Sequence, residues 1–325
     1  MTEENIQQVP QSKRSKFLSA GFYKDIWQLL SLTAQSFMND KALKMSASLA
    51  YYAIFSIAPL LLIIIWLIGF LFGEYVEGQQ GAQEEVFREF ASIFGTEVAA
   101  QIQSVIQKIS VSNKSGVGIA AGIITLIVGS TTIFIEIQDS INNIWKVRAK
   151  PRKGWVKMLL NRVISFSMVL GLGFLLIASL LINGIIVALS QYFTNYFPDL
   201  SVNMVEWINV IVTYLVISVL FGIIFSVLPD AKVRFLDVLG GGLFTGLLFM
   251  FGRFLISLYL QYAAPASAYG AAGSVIVLLL WVYYSAAILY FGAEFTKVYA
   301  EKYGNGIRPS SFAVKIVQYE EEKNQ

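Results

Sequence analysis

Six membrane-crossing helices, both termini on the cytoplasmic side and one amphipathic extracytoplasmic loop are what this chain should form. That is an all-α, polytopic integral membrane protein, and three observations point to it. Hydrophobic residues make up 56% of the 325 positions and charged residues 14%, against about 45–50% and about 25% in soluble domains. The apolar residues gather in long continuous runs. Lysine and arginine alternate between rich and poor connections. A soluble protein of this length would still need a charged skin over its core. Transmembrane β-strands would show alternating segments of about 10 residues, which these continuous Leu/Ile-rich runs do not.

A spanning helix needs about 20 mainly apolar residues, and six runs qualify: about 48–72, 117–137, 164–190, 208–228, 235–260 and 271–295. The first contains Pro59, which removes a helical hydrogen bond, frees the Phe55 carbonyl and predicts a kink. The second carries Gly118 and Gly122, then Ser130, Thr131 and Thr132; the third carries Asn183. These polar groups suit helix–helix contacts. In the fifth, Gly242 and Gly246 repeat the small-residue spacing of the second, as two inverted halves of three spans would. Trp145, Trp155, Trp207, Tyr192 and Tyr196 flank spans and read as an aromatic belt.

Around these runs the chain divides into a segment 1–45, a membrane domain 46–300 and a tail 301–325. The first segment carries Phe22, Ile26, Leu30 and Phe37 at helical spacing beside lysines, the pattern of an interfacial helix drawn to anionic lipid. Its polar start does not fit a cleavable signal, whose basic region leads directly into a short apolar core. Between the first two spans, Phe87, Phe90, Phe94, Val98, Ile102, Val105 and Ile109 form a second amphipathic stripe. It reads as a helix on the outer leaflet or packed across the bundle mouth, the alternative being a gate over a substrate path. The tail after Tyr303 is polar, ends near Glu320, Glu321 and Glu322, and is expected to be mobile.

Orientation follows from the 24 Lys+Arg residues. Twenty fall in the N-terminal segment, the second–third and fourth–fifth connections and the tail; only Arg88, Lys108 and Lys114 fall in the others. The positive-inside rule then places both termini in the cytoplasm, and the cell (inner) membrane is the expected location.

Chemistry is narrowed by what is missing. The chain has no Cys and no His, which excludes disulfides, Cys/His zinc sites, haem–His ligation and nucleophile systems built on histidine. No G-x-x-x-x-G-K-[ST] motif occurs. Only carboxylate-held metals stay open, so no metal, cofactor or catalytic residue is assigned. The basic residues match the orientation signal rather than a nucleic-acid groove. An enzyme is not expected.

The ionisable residues inside spans stand out, since each costs about 2.5–3.5 kcal/mol at mid-membrane. Arg253 lies about 25 Å into the fifth span at 1.5 Å per residue, with Gly242, Gly246, Phe249 and Ser257 on its face. Arg253, Ser257 and Gly246 are the candidate substrate-binding group. The competing role is structural, with the guanidinium bonding carbonyls or snorkelling outward. Glu136 and Glu294 fall at span ends where the helix dipole disfavours them, so they should meet cations; Lys44, Arg162, Arg234 and Lys297 are the candidates. Asp237 falls in the first turn of the fifth helix, where the dipole favours it. These three acids form either an ion or proton relay or a set of structural ion pairs.

Several strings carry a resemblance. Ala50-Tyr-Tyr-Ala-Ile-Phe-Ser-Ile-Ala-Pro59 and Ile137-Gln-Asp-Ser-Ile-Asn-Asn-Ile-Trp145 are similar to first- and second-helix motifs of the YihY/BrkB family of bacterial inner-membrane proteins, once labelled ribonuclease BN. Tyr269-Gly-Ala-Ala-Gly273, Leu280-Trp-Val-Tyr-Tyr284 and Gly292-Ala-Glu-Phe295 resemble its last-helix signature. The resemblance implies six helices with cytoplasmic termini and brings no catalytic residues. The expected function is a transporter, exporter or flippase-like protein for an anionic or amphiphilic envelope molecule. The alternative is a structural or assembly protein of the envelope. Expected partners are the lipid bilayer, an anionic lipid or solute, and a membrane-protein partner or second copy, with no nucleic acid.

Overall fold

The computed structural model describes residues 20–55, 132–150, 198–263 and 273–317, with eight isolated helical residues between Glu84 and Gln103. In chain order these form α1 (Ala20–Asn39), α2 (42–55), α3 (132–144), β1 (Val147–Ala149), α4 (Pro198–Val227), β2 (Ala231–Lys232), α5 (Phe235–Ala263), α6 (Gly273–Tyr303), β3 (Arg308–Pro309) and β4 (Ala313–Lys315). Pro59, the expected span 164–190 and most of 117–137 lie outside the described residues.

Three described helices are long and apolar enough to cross a membrane, with stretches Trp207–Val227, Phe235–Tyr259 and Val275–Tyr303. They coincide with the fourth, fifth and sixth expected spans. The sixth helix does not stop at residue 295 but continues to Tyr303. Lys297, Glu301 and Lys302 end its apolar run without ending its backbone hydrogen bonding, since Lys and Glu are good helix formers. Termination comes at glycine. The Gly304 and Gly306 amides both donate to the Ala300 carbonyl at 3.0 Å, and Gly306 takes the left-handed φ of 67° that a C-terminal cap requires.

Small residues let α4, α5 and α6 approach closely. A Cβ on Gly242 would stand 2.7 Å from the Ser218 carbonyl oxygen of α4, and one on Gly246 would strike the Ser218 hydroxyl. On the adjacent face of α5 the arrangement is reciprocal: Thr296 of α6 fills the space at Gly241, and Thr245 fills the space at Gly292. Each threonine returns its hydroxyl proton to its own helix, Thr245 to Gly241 O at 2.6 Å and Thr296 to Gly292 O at 2.7 Å. No polar atom is therefore stranded by the close approach. The opposite side of α5 exposes Leu247, Phe251 and Phe254, an apolar surface suited to lipid.

At the end that carries β1 to β4, α1 lays Leu29 and Phe37 on α6, with Phe37 edge-on to Phe291 at 5.5 Å. Two lysines in left-handed conformation, Lys41 at φ 54° and Lys146 at φ 55°, turn the chain out of α1 and α3. Strand β1 pairs antiparallel with β4, Val147 opposite Lys315, and β2 with β3, Lys232 opposite Arg308. The expected mobile tail is thus corrected as far as Lys315: its backbone closes two ladders, and a polar composition did not reveal partners far back in the chain.

Trp145 is also corrected. It is 2% exposed and its indole N–H donates to Ala293 O at 3.0 Å, so it is a core residue joining α3 to α6 rather than part of an aromatic belt. Trp207 is 69% exposed. Phe87, in the first connection, is buried and belongs to the main core.

Candidate functional site

Polar and charged side chains gather at the end of the bundle where α1, α3, α4 and α6 meet the short strands. Two groups form there. In the first, the Asp230 carboxylate, buried after α4, accepts from Gln138 Nε2 at 3.2 Å and Asn142 Nδ2 at 2.9 Å. Asn142 Oδ1 in turn accepts from the Asp230 amide at 2.8 Å. The Asp230 carbonyl takes the Ser310 N–H at 3.0 Å. Gln138 and Asn142 reach one acid because positions four apart share a helix face.

In the second group, Asp40 follows α1 and accepts from Lys146 through Oδ1 and from Lys297 through Oδ2 at 3.3 Å. Lys297 also meets Glu294 Oε2 at 3.1 Å. Burial works against the charge on Asp40. The Lys146 hydrogen bond, the approaching Glu294 carboxyl and the two ammonium charges outweigh it and hold the carboxyl below its ordinary value of 3.8. Glu294 is fully buried, and among the described residues its Oε1 has no hydrogen bond; the buried Tyr290 hydroxyl and Asp237 Oδ2 share that condition.

Of the residues singled out from sequence, Glu294 meets Lys297, one of the four cations expected. Asp40 and Lys146 complete its network and were not anticipated. Glu136 is half-buried on α3, and its charge reaches Tyr290. Asp237 stands in the first turn of α5, with Oδ2 against Gly304. Arg253 and Ser257 are half-buried on α5. Gly246 packs directly on α4. Since Thr245 is level with Gly292, Arg253 stands about 12 Å further along α5 at 1.5 Å per residue, so the structure does not bring it to the acid cluster. Pro59 lies outside the described residues. Among the described residues no group of three or more Asp, Glu, Cys or His side chains could hold a metal ion.

Three long apolar helices, with buried polar and charged groups gathered at one end of the described bundle, mark a helical integral membrane protein. The family described as "Virulence factor BrkB" matches residues 33–315, and the chain belongs to that family. Similar proteins include a "UPF0761 membrane protein" of Pseudomonas paraeruginosa, 26% identical over 273 residues, covering 83% of this chain and 62% of the relative. One of Prosthecochloris aestuarii is 29% identical over 283 residues, covering 84% of this chain and 61% of the relative. One of Psychromonas ingrahamii is 26% identical over 258 residues, covering 78% and 81%. The chain thus spans about three-fifths of the first two relatives' length. No solved structure matches.

Proposed function

We propose that the protein is a six-span protein of the bacterial inner membrane with both termini in the cytoplasm, and that it moves an anionic or amphiphilic envelope molecule as a transporter, exporter or flippase-like protein. The carrying observation is Arg253, half-buried inside a membrane-competent helix on the face that also holds Gly242, Gly246 and Phe249. A cation costs about 2.5–3.5 kcal/mol at mid-membrane and less in the outer third, where Arg253 falls, and a leucine there would carry no such cost. A guanidinium in low dielectric is suited to carboxylate or phosphate. Ser257, one turn on, adds a hydroxyl to the same face. On this reading the protein is not an enzyme and does not bind nucleic acid.

The test is lipid scrambling and solute flux in proteoliposomes. Wild type is expected to move at least one anionic lipid or solute, and Arg253→Ala to lose most of that rate at unchanged yield and gel-filtration profile. Equal behaviour of the two proteins across both panels would overturn the reading.

A second reading, an envelope assembly protein without transport, is favoured by the Asp230 group, whose polar atoms are consumed in joining α3 to the connection after α4. A stoichiometric membrane partner captured by crosslinking would support it.

A further inference from the structure

We propose that Glu294 is an exchangeable proton site, with Asp40 as the group that hands its proton to and from solvent. The geometry carries this. An ionised carboxylate is acceptor-only and needs donors on both oxygens. Glu294 is 0% exposed, Oε2 takes the Lys297 ammonium, and Oε1 has no donor among the described residues. A proton on Oε1 turns that oxygen into a donor. The Asp40 carboxylate, which takes the same ammonium at 3.3 Å and stands within hydrogen-bonding reach of Glu294, is the acceptor at hand. Two carboxylates sharing one cation do not both ionise readily, and Asp40, held below its ordinary range by Lys146 and Lys297, is the one that stays charged.

The groups facing this pair come from each neighbouring segment. Asp40 sits in the turn before α2, and Lys146 follows α3. Lys297 and Tyr290 stand on α6, Tyr290 one turn before Glu294, with its hydroxyl towards Ser140 of α3 and within reach of the Glu136 charge. The transfer balances. The Glu294 Oε1–H bond breaks, an O–H bond forms on Asp40, and Asp40 then releases the proton to water at the Lys146 side, where the lysine is 28% exposed. The Glu294 carboxylate left behind is neutralised by Lys297. With Glu294 protonated, the two lysines and Asp40 leave the cluster one positive charge; after release it is neutral. The site would give the transporter a coupling ion. That purpose rests on the transporter reading, while the titration itself does not.

The experiment is pH-difference infrared spectroscopy of the full chain in lipid nanodiscs between about pH 4 and pH 10, which brackets the carboxyl and amine ranges. Wild type is expected to lose the C=O stretch of a protonated buried carboxyl as pH rises. That band should vanish in Glu294→Gln and shift in position and midpoint in Asp40→Asn. Should Glu294→Gln fail to accumulate, wild type grown with side-chain-labelled glutamate must show the band moved, and labelled aspartate must leave it in place. No titrating band in wild type, or a band that labelled glutamate leaves unmoved, would overturn the proposal. Failure here with flux intact rejects the proton site and leaves the transporter; a Glu294 band without flux does the reverse.

Discussion

Asn142→Ala should be among the most damaging single changes at the basic end. The Asn142 carboxamide donates to the buried Asp230 carboxylate at 2.9 Å and accepts from the Asp230 amide at 2.8 Å. Truncation removes a hydrogen bond to a charged group, worth about 1.5–3 kcal/mol, and strands a backbone N–H, at about 1–3 kcal/mol. Gln138 still holds one carboxylate oxygen, so the expected loss is about 3 kcal/mol. With unfolding entropy of about 2.1 cal/mol/K per residue, a chain of 325 residues loses roughly 1.5 °C per kcal/mol, so Tm should fall by roughly 4–5 °C in thermal unfolding of the detergent-solubilised protein. Hydrogen exchange should quicken around residues 228–232 and also at Ser310, whose amide depends on the Asp230 carbonyl. Neighbouring Asn143, whose exposed carboxamide donates to the Met45 sulfur at 3.6 Å, supplies the control; its alanine variant should stay within about 0.5 kcal/mol. Equal Tm values for the two variants would refute the assignment of Asn142 as the clamp on Asp230.

Two further predictions concern packing and charge. Gly242→Ala should sharply lower the yield of folded protein, because its methyl would meet the Ser218 carbonyl oxygen at 2.7 Å, whereas Gly222→Ala, with nothing within 4 Å of the new Cβ, should be tolerated; equal gel-filtration recoveries would contradict the α4–α5 contact. Asp40→Asn should destabilise the protein at neutral pH and much less in acid. The folded-state carboxyl lies below its ordinary 3.8, so its contribution is present above that pH and fades as pH falls through the lower folded value. A stability difference that persists unchanged at pH 2–3 would count against the Asp40 ion pairs.

Composition and run length made the helical membrane class legible; α5 begins and ends close to where its apolar run does, whereas α4 ends with its run but starts at Pro198, well before it. Helix-spacing arguments also found the Gly242 and Gly246 face. What they could not supply was the partner, and Ser218 is identifiable only once α4 is docked. The string from Ile137 to Trp145 stood out as a family motif, yet its purpose stayed hidden. Gln138 and Asn142 serve an acid 92 and 88 positions away, and no local period encodes that. Counting lysines gave an orientation but treated them as interchangeable. Lys146, with its left-handed backbone and its bond to Asp40, was one of seven basic residues in a connection. Glu294 was predicted to need a cation because of the helix dipole, and Lys297 is one turn away. Asp40, which shares that cation, follows an amphipathic helix, and no local pattern marks it. Trp145 misled because an aromatic beside a span fits both a headgroup layer and a core.

The two short ladders also set an order of events during synthesis. Strands β1 and β2 leave the ribosome well before their mates at 308–309 and 313–315. Until Arg308 has been made neither ladder has its mate, and nascent chains stalled before that point should leave the connections after α3 and α4 open to proteases that the full chain resists.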